Sequence, residues 1–287
     1  MSGWLSAILY ILLAPVAGGL IAGIDRKLTA RMQRRIGPPI FQPFYDLFKL
    51  IDKENVIVNL YQNLYLTGFL VFNIVAGTLF FAGGDLLLVI FALALSGIFL
   101  VLGAASATSP YSHIGAEREL IQMMACEPML LIAAMGLYLL PHSFQVRDIL
   151  AVDKPLFLYL PGILFGLLYI LTIKLRKSPF DLSTSLHAHQ EIVKGITTEF
   201  SGPALAVVEL AHWYETILIL GMIYLFFAWN PWVAVPATIG LYLAEILVDN
   251  TNARLTWRWT VTSSWLIAAV AGAGNLIVLF YFLKAGF

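Results

Sequence analysis

The chain has 287 residues, 60% of them hydrophobic and 12% charged, where an ordinary soluble domain carries about 25% charged residues. With 17 basic and 17 acidic residues and a mean hydropathy of +0.85, it reads as an integral membrane protein with no charge excess for nucleic acid. The one cysteine, Cys126, excludes a disulfide framework, and an iron–sulfur cluster or Cys-rich zinc site held by this chain alone.

Long apolar runs without alternation favour helices over a barrel. Runs long enough to span a bilayer, about 20 residues each, fall at 4–24, 64–83, 86–106, 121–140, 156–174, 204–229, 231–248 and 263–283. The expected fold class is an all-α integral membrane protein of about eight transmembrane helices, one polytopic domain over residues 1–287. No internal repeat is visible.

The first run has no basic residue before it and a basic cluster after it. That is the reverse of a cleaved signal peptide, so it reads as a retained helix. Asp25-Arg26-Lys27 end the run, and Met32-Gln33-Arg34-Arg35-Ile36-Gly37-Pro38-Pro39 follow. Beyond the Gly-Pro-Pro break, Phe44, Leu47, Phe48 and Ile51 recur at i, i+3, i+4 and i+7, while Asp46, Lys49 and Lys53 fall elsewhere. This spacing predicts an amphipathic helix lying on the membrane surface or against a partner.

With eight spans, the loops after the first, third, fifth and seventh share one side. They carry every Lys and Arg except Arg147, Lys154 and Lys284. The positive-inside rule therefore puts these loops in the cytoplasm and both termini outside.

In the second of those loops Glu117 and Glu119 bracket Arg118, and local ion pairing is a sufficient reason for them. Glu127 precedes Pro128 at the mouth of an apolar span and is less easily dismissed. The third, residues 174–202, holds four basic residues, three acids, His187 and His189. A His-x-His pair without nearby Cys is a weak metal signal, and polar or proton-transfer roles fit it better.

The sixth span carries Glu209, His212 and Glu215 on an arc of about 120°. The seventh carries Glu245 and, four residues on, Asp249. An ionised carboxylate at bilayer depth costs at least a few kcal/mol, so such groups face a bundle interior, a partner or water. Two readings stand: paired or protonated acids that hold helices together, and a path for protons.

These motifs resemble the membrane subunit shared by respiratory NADH dehydrogenase (complex I), where it forms the quinone site, and by energy-converting NiFe hydrogenases. The complex I branch has E-R-K, M-Q-x-R-x-G-P-N and L-Q-P-F-A-D-x-x-K-L in its first loop. Here Asp25-Arg26-Lys27, Met32-Gln33, Arg35, Gly37-Pro38, Gln42-Pro43-Phe44, Asp46 and Lys49-Leu50 match, with Pro39 for the asparagine, Asp25 for the glutamate and a shorter middle. That short form resembles the hydrogenase branch. A second motif, P-F-D-L, E-S-E-L-V-x-G and T-E-Y-S-G, is matched by Pro179-Phe180-Asp181-Leu182, Glu191-Ile192-Val193-Lys194-Gly195 and Thr198-Glu199-Phe200-Ser201-Gly202. His189 stands where complex I places the earlier glutamate. Val248 to Trp257 and Arg118-Glu119-Leu120 with Glu127-Pro128 also resemble the hydrogenase branch, and His-Ala-His-Gln-Glu is most similar to its Ech-type, group 4 members.

The resemblance implies a non-catalytic membrane subunit of a ferredoxin-dependent energy-converting hydrogenase in the prokaryotic cytoplasmic membrane. It would couple electron transfer between ferredoxin and protons to proton or sodium translocation. It implies no cofactor on this chain, with the NiFe centre and 4Fe–4S clusters in partners. Those are the small and large hydrogenase subunits, an iron–sulfur ferredoxin-like subunit and an antiporter-like membrane subunit, with ferredoxin reached through the complex and the lipid bilayer around it. Glu127, Glu191, Glu199, Glu209 and Glu215 are expected as coupling acids, with Glu245 and Asp249 as a further branch. Arg35, Gln42, Asp46, Asp181 and His189 are expected to shape the docking surface. The alternatives are the quinone-site subunit of a complex I-like enzyme and an independent secondary ion transporter. Against the latter stand the absent repeat and the lack of paired broken helices.

Overall fold

The computed structural model describes residues 3–54, 56, 59–180, 183 and 195–284, and among these the regular structure is helical. The first helix, α1, runs Gly3–Met32 over 30 residues, about 45 Å at 1.5 Å per residue. A hydrocarbon core is about 30 Å thick, so an upright α1 carries its charged end beyond the apolar layer. Gly18 and Gly19 give α1 a bare flank. A Cβ at Gly18 would stand 2.6 Å from the Trp213 carbonyl, and one at Gly19 2.5 Å from the Phe44 ring.

Into that flank packs α2, Gln42–Ile51, with proline in its first turn. The Phe44 ring meets Trp213 edge-on at 5.2 Å. Here the structure departs from the expected single apolar face. Phe44 and Leu47 are half-buried, whereas Phe48 and Ile51 are 61% and 52% exposed, aligned with the exposed Phe41 and Tyr45. The helix contacts both α1 and the helix Gly202–Leu225, which covers one apolar flank and leaves the other open.

An antiparallel pair follows: α3, Leu60–Phe81, and α4, Leu86–Ala105. Asn59 and Asp85 cap their N-termini by accepting from Tyr61 N at 3.0 Å and Leu87 N at 2.8 Å. Next is α5, Pro110–Tyr138, which starts well before the expected 121–140. Pro110 occupies the first turn, where its missing N–H costs nothing, and the helix continues through Pro128. Glu117, Arg118, Glu119 and Glu127 therefore ride on one helix rather than on a loop.

The expected span 156–174 is divided. Short helices α6, Val146–Leu150, and α7, Leu156–Tyr159, precede α8, Pro161–Lys174. Leu160 leaves the helical region at φ −123, ψ 43, because a following proline disfavours α geometry. Asn275 Oδ1 accepts from Gly162 N at 3.0 Å and Ile163 N at 3.2 Å, supplying the cap that α8 lacks locally. At 14 residues, α8 is about 21 Å long, shorter than the apolar layer. Its end nonetheless meets the charged ends of α1 and of the helix Pro231–Thr251, and the first half of α5, so the α6–α8 segment returns the chain to that side. Seven helices, rather than the expected eight, are long and apolar enough to span a membrane among the described residues.

The remaining spans are α9, Gly202–Leu225, α10, Pro231–Thr251, and α11, Trp257–Ile267, which passes through a π-helical stretch, Ala268–Ala273, into α12, Gly274–Lys284. The main core lies between α4, α5, α8 and α9, where Val89, Met129, Leu137, Ile163, Ile170, Leu218 and Phe226 are buried. By contrast, few residues of α10 and of the α11–α12 span are buried, so their outer faces are left for lipid or partner subunits.

Candidate functional site: an ionic hub at the end of α8

The C-terminus of α8 closes with Arg176 N donating to Ile173 O at 3.0 Å and Lys177 N to Thr172 O at 3.0 Å. Arg176 takes a left-handed φ of 54°, a strained choice for a residue with a Cβ. The turn sends three cations to four helices. Lys174 lies 3.8 Å from Glu215 of α9, and Arg176 bonds Glu119 of α5 at 3.1 Å. Lys177 pairs with Asp25 of α1 and lies 3.5 Å from Asp249 of α10.

Neutral groups extend the hub. Ser178 N donates to Asp249 Oδ1 at 2.8 Å, and the Tyr242 hydroxyl to Asp25 at 3.4 Å. Gln33 donates to Asn250 at 3.2 Å, and Asn250 to Thr29 at 3.2 Å. None of the hub's ionic side chains is more than 24% exposed. Pairs this dry gain little net stability, because desolvation offsets attraction, yet removing one partner strands a buried charge. The hub therefore fixes which helices meet.

His212, one turn before Glu215 on α9, has Nδ1 3.3 Å from Glu215 Oε2. Its Nε2 is buried without a hydrogen-bond partner, as are Glu119 Oε2 and Glu245 Oε2. Three spaces adjoin the hub. A cavity of about 280 Å³ between α1, α9 and α10 has Asp25, Lys177, Glu209, His212, Glu215 and Asp249 among its lining, interspersed with Gly18, Ile21, Val208 and Ile219. A pocket of about 20 Å³ lies among Glu119, Gln122, Cys126, Lys174, Arg176 and Glu215. At the same end a depression of about 910 Å³ reaches Arg35, Asn252 and Arg254.

Of the expected coupling acids, Glu209, Glu215 and Asp249 come together around the larger cavity. Glu245 is buried one turn from Asp249, with Thr172 and Lys177 beside it. Glu127 is half-buried on α5 and lines none of these spaces. Glu199 lies in the turn before α9, where its backbone carbonyl accepts from Gln62 at 3.5 Å. Glu191 lies outside the described residues.

Of the expected docking residues, Arg35 is exposed at the depression, bonded to Gln33. Gln42 donates to Asp46 at 2.8 Å, and Arg26 donates to Asp46 at 2.8 Å, so Asp46 braces α2 against α1 while Gln42 holds the carboxyl in place. Burial would raise the Asp46 pKa, but the Gln42 and Arg26 hydrogen bonds and the Arg26 and Lys49 charges outweigh it and hold the carboxyl below its usual range. Asp181 and His189 lie outside the described residues.

Sequence reasoning missed Asp25, Glu119, Lys174, Arg176 and Lys177 as site members, and it set His212 on the arc with Glu209 and Glu215 without giving it a role. Glu119 takes Arg176, 57 residues away, as its partner, although Arg118 beside it is a sufficient partner by sequence alone. The available signal is electrostatic: several acids at bilayer depth require counter-charges, and three cations in four residues end the apolar run at 174. In the sequence those cations speak only to orientation. Among the described residues no group of three or more His, Cys, Asp or Glu is arranged to hold a metal.

Together these features define a multi-pass membrane protein whose charged end is cross-braced by buried ion pairs. The NADH dehydrogenase family profile matches residues 5–280. Hydrogenase-4 component C of Escherichia coli (strain K12) is 32% identical over 72% of this chain and 67% of its own length. A membrane-complex relative from Cereibacter sphaeroides, a subunit of its NADH-quinone oxidoreductase, is 31% identical over 95% of this chain and 94% of its own. A solved chain from the membrane-bound sulfane sulfur reductase, an archaeal respiratory membrane complex, superposes with a TM-score of 0.84 at 26% identity. The match covers 96% of this chain and 100% of that one. The chain belongs to the NADH dehydrogenase family, whose members among these relatives include both hydrogenase and complex I subunits.

Proposed function

We propose that this chain is the membrane subunit of a ferredoxin-dependent, energy-converting NiFe hydrogenase, itself without a redox centre. It anchors a peripheral arm whose subunits carry the NiFe centre and iron–sulfur clusters, and it joins that arm to an antiporter-like membrane subunit. The α8 hub carries this reading. Three cations on one short turn clasp acids from four helices beneath an open depression, so displacement of that turn by a docked redox arm would reach Asp25, Glu119, Glu215 and Asp249 together. The basic loops, including the hub, then lie on the cytoplasmic side, and the acids pass protons or sodium ions inward from it.

The preference for a hydrogenase over a quinone enzyme rests on the short first loop and on His189, and it is supported by the likeness to hydrogenase-4 component C. Gentle purification of the tagged chain with metal analysis tests it. Nickel and iron–sulfur partners should co-purify; a chain recovered alone and metal-free contradicts the reading and favours an independent transporter.

A second reading has one observation behind it. The cavity of about 280 Å³ is lined by charged groups together with Gly18, Ile21, Val208 and Ile219, a mixed lining suited to an amphipathic ligand. A quinone enzyme would reduce added quinone with sensitivity to site inhibitors, and a hydrogenase would not.

A further inference from the structure

Glu215 lines both the larger cavity and the small pocket behind it, whereas His212 lines only the larger one and Glu119 only the smaller. The His212 ring leans edge-on against Phe69 at 5.3 Å, with Nδ1 towards Glu215 and Nε2 buried and unpartnered. Glu119 is held by Arg176 through one oxygen only, its Oε2 buried and without a partner. The small pocket, about 20 Å³, exceeds the roughly 10–15 Å³ that one water needs. Lys174, 3.8 Å from Glu215 and shared by both spaces, sets the charge at the crossing.

We infer that His212 is a proton-transfer residue that carries protons from the larger cavity to Glu215, which hands them through the small pocket to Glu119. The inference rests on the coupling role proposed above and adds the residue that starts the crossing from α9 to α5. A proton from Glu209 or from solvent in the larger cavity binds Nε2 and makes the imidazolium. The Nδ1–H bond then breaks as an O–H bond forms at Glu215 Oε2. Imidazolium and carboxylate become neutral imidazole and carboxylic acid, so one proton moves and no electron does. Glu215 then gives its proton to a pocket water, which passes one to Glu119 Oε2. Once Glu215 has passed its proton on, the neutral ring releases its Nε2 proton to water of the larger cavity and takes one from water at Nδ1, which resets the tautomer with no net change of charge.

The test uses the whole complex in inverted membrane vesicles, reading ion uptake per assembled complex, with assembly scored by co-purified metal. His212→Gln, which keeps a similar volume, should lower uptake at least tenfold, the low end of roughly 10²–10⁴ for losing a positioned acid–base group being softened by residual water transfer. His212→Ala should show the same loss, and added imidazole should recover a measurable part of it. Wild-type uptake in His212→Gln alongside lost uptake in Glu215→Gln overturns this inference and leaves the proposed coupling standing. Wild-type uptake in both overturns the two together. A loss that imidazole does not relieve, accompanied by a lower melting temperature, assigns the ring to packing against Phe69 and also overturns it.

Discussion

Arg176 and Glu119 are 57 residues apart in the chain and 3.1 Å apart in space. The bond ties the left-handed turn after α8 to the first half of α5, and it is made by the one residue of that turn whose backbone takes a positive φ. A strained Arg between two lysines makes physical sense only if direction matters: φ of 54° lets 174, 176 and 177 point to different helices.

Breaking that bond from one side should be costly. Arg176→Met or Glu119→Gln is expected to destabilise the folded chain by about 3–5 kcal/mol, the usual penalty for stranding one partner of a buried pair. The double variant should lose clearly less than the sum. Thermal unfolding of the solubilised complex, read as a double-mutant cycle, measures the coupling. Additive losses would show that the two side chains do not depend on each other.

Close approach of α1 and α9 depends on hydrogen at Gly18. Gly18→Ala puts a Cβ 2.6 Å from the Trp213 carbonyl, so a loss near the upper end of the roughly 1–3 kcal/mol for overpacking is expected. Gly240→Ala is the control. Nothing lies within 4 Å of its Cβ, and alanine is the better helix former by about 1 kcal/mol. Folded yield in detergent should fall for the first variant and hold or rise for the second.

The α2 helix should loosen in acid. The Asp46 carboxyl has its pKa held below the usual range in the folded chain, so its contribution is complete above the unfolded value, about 3.9, and is lost as pH falls through the folded one. Wild-type cleavage in the 33–41 segment by an acid-active protease should therefore rise only below about pH 4, while a protease active at neutral pH should cut Asp46→Asn faster than the wild type. Equal cleavage of the two at neutral pH would remove Asp46 from the bracing of α2.

Most of the architecture is legible because hydrophobic length is a one-dimensional signal. The spans at 64–83, 86–106 and 204–229 fall on α3, α4 and α9 within a few residues. The span at 156–174 reads as one continuous helix because Leu160-Pro161 carries no polarity, so a run that is continuous in hydropathy is broken in backbone. The start of α5 is underread because Glu117, Arg118 and Glu119 look like loop, although their charges are accommodated at the ionic end of the bundle. In the site, the acids of α9 and α10 can be found from their depth alone. Their partners cannot, since nothing in the order of residues says that Lys177 will reach both Asp25 and Asp249.

The central claim is that the acids around the hub couple redox chemistry in the arm to ion movement. Glu215 is the carboxylate shared by both cavities, so Glu215→Gln in membrane vesicles is the most direct measurement, with ferredoxin-driven hydrogen evolution and ion uptake recorded side by side. The account predicts that ion uptake per assembled complex falls at least tenfold, in line with loss of a positioned proton-transfer group. Hydrogen evolution and ion uptake both at wild-type rates, in a complex that assembles normally, would contradict it.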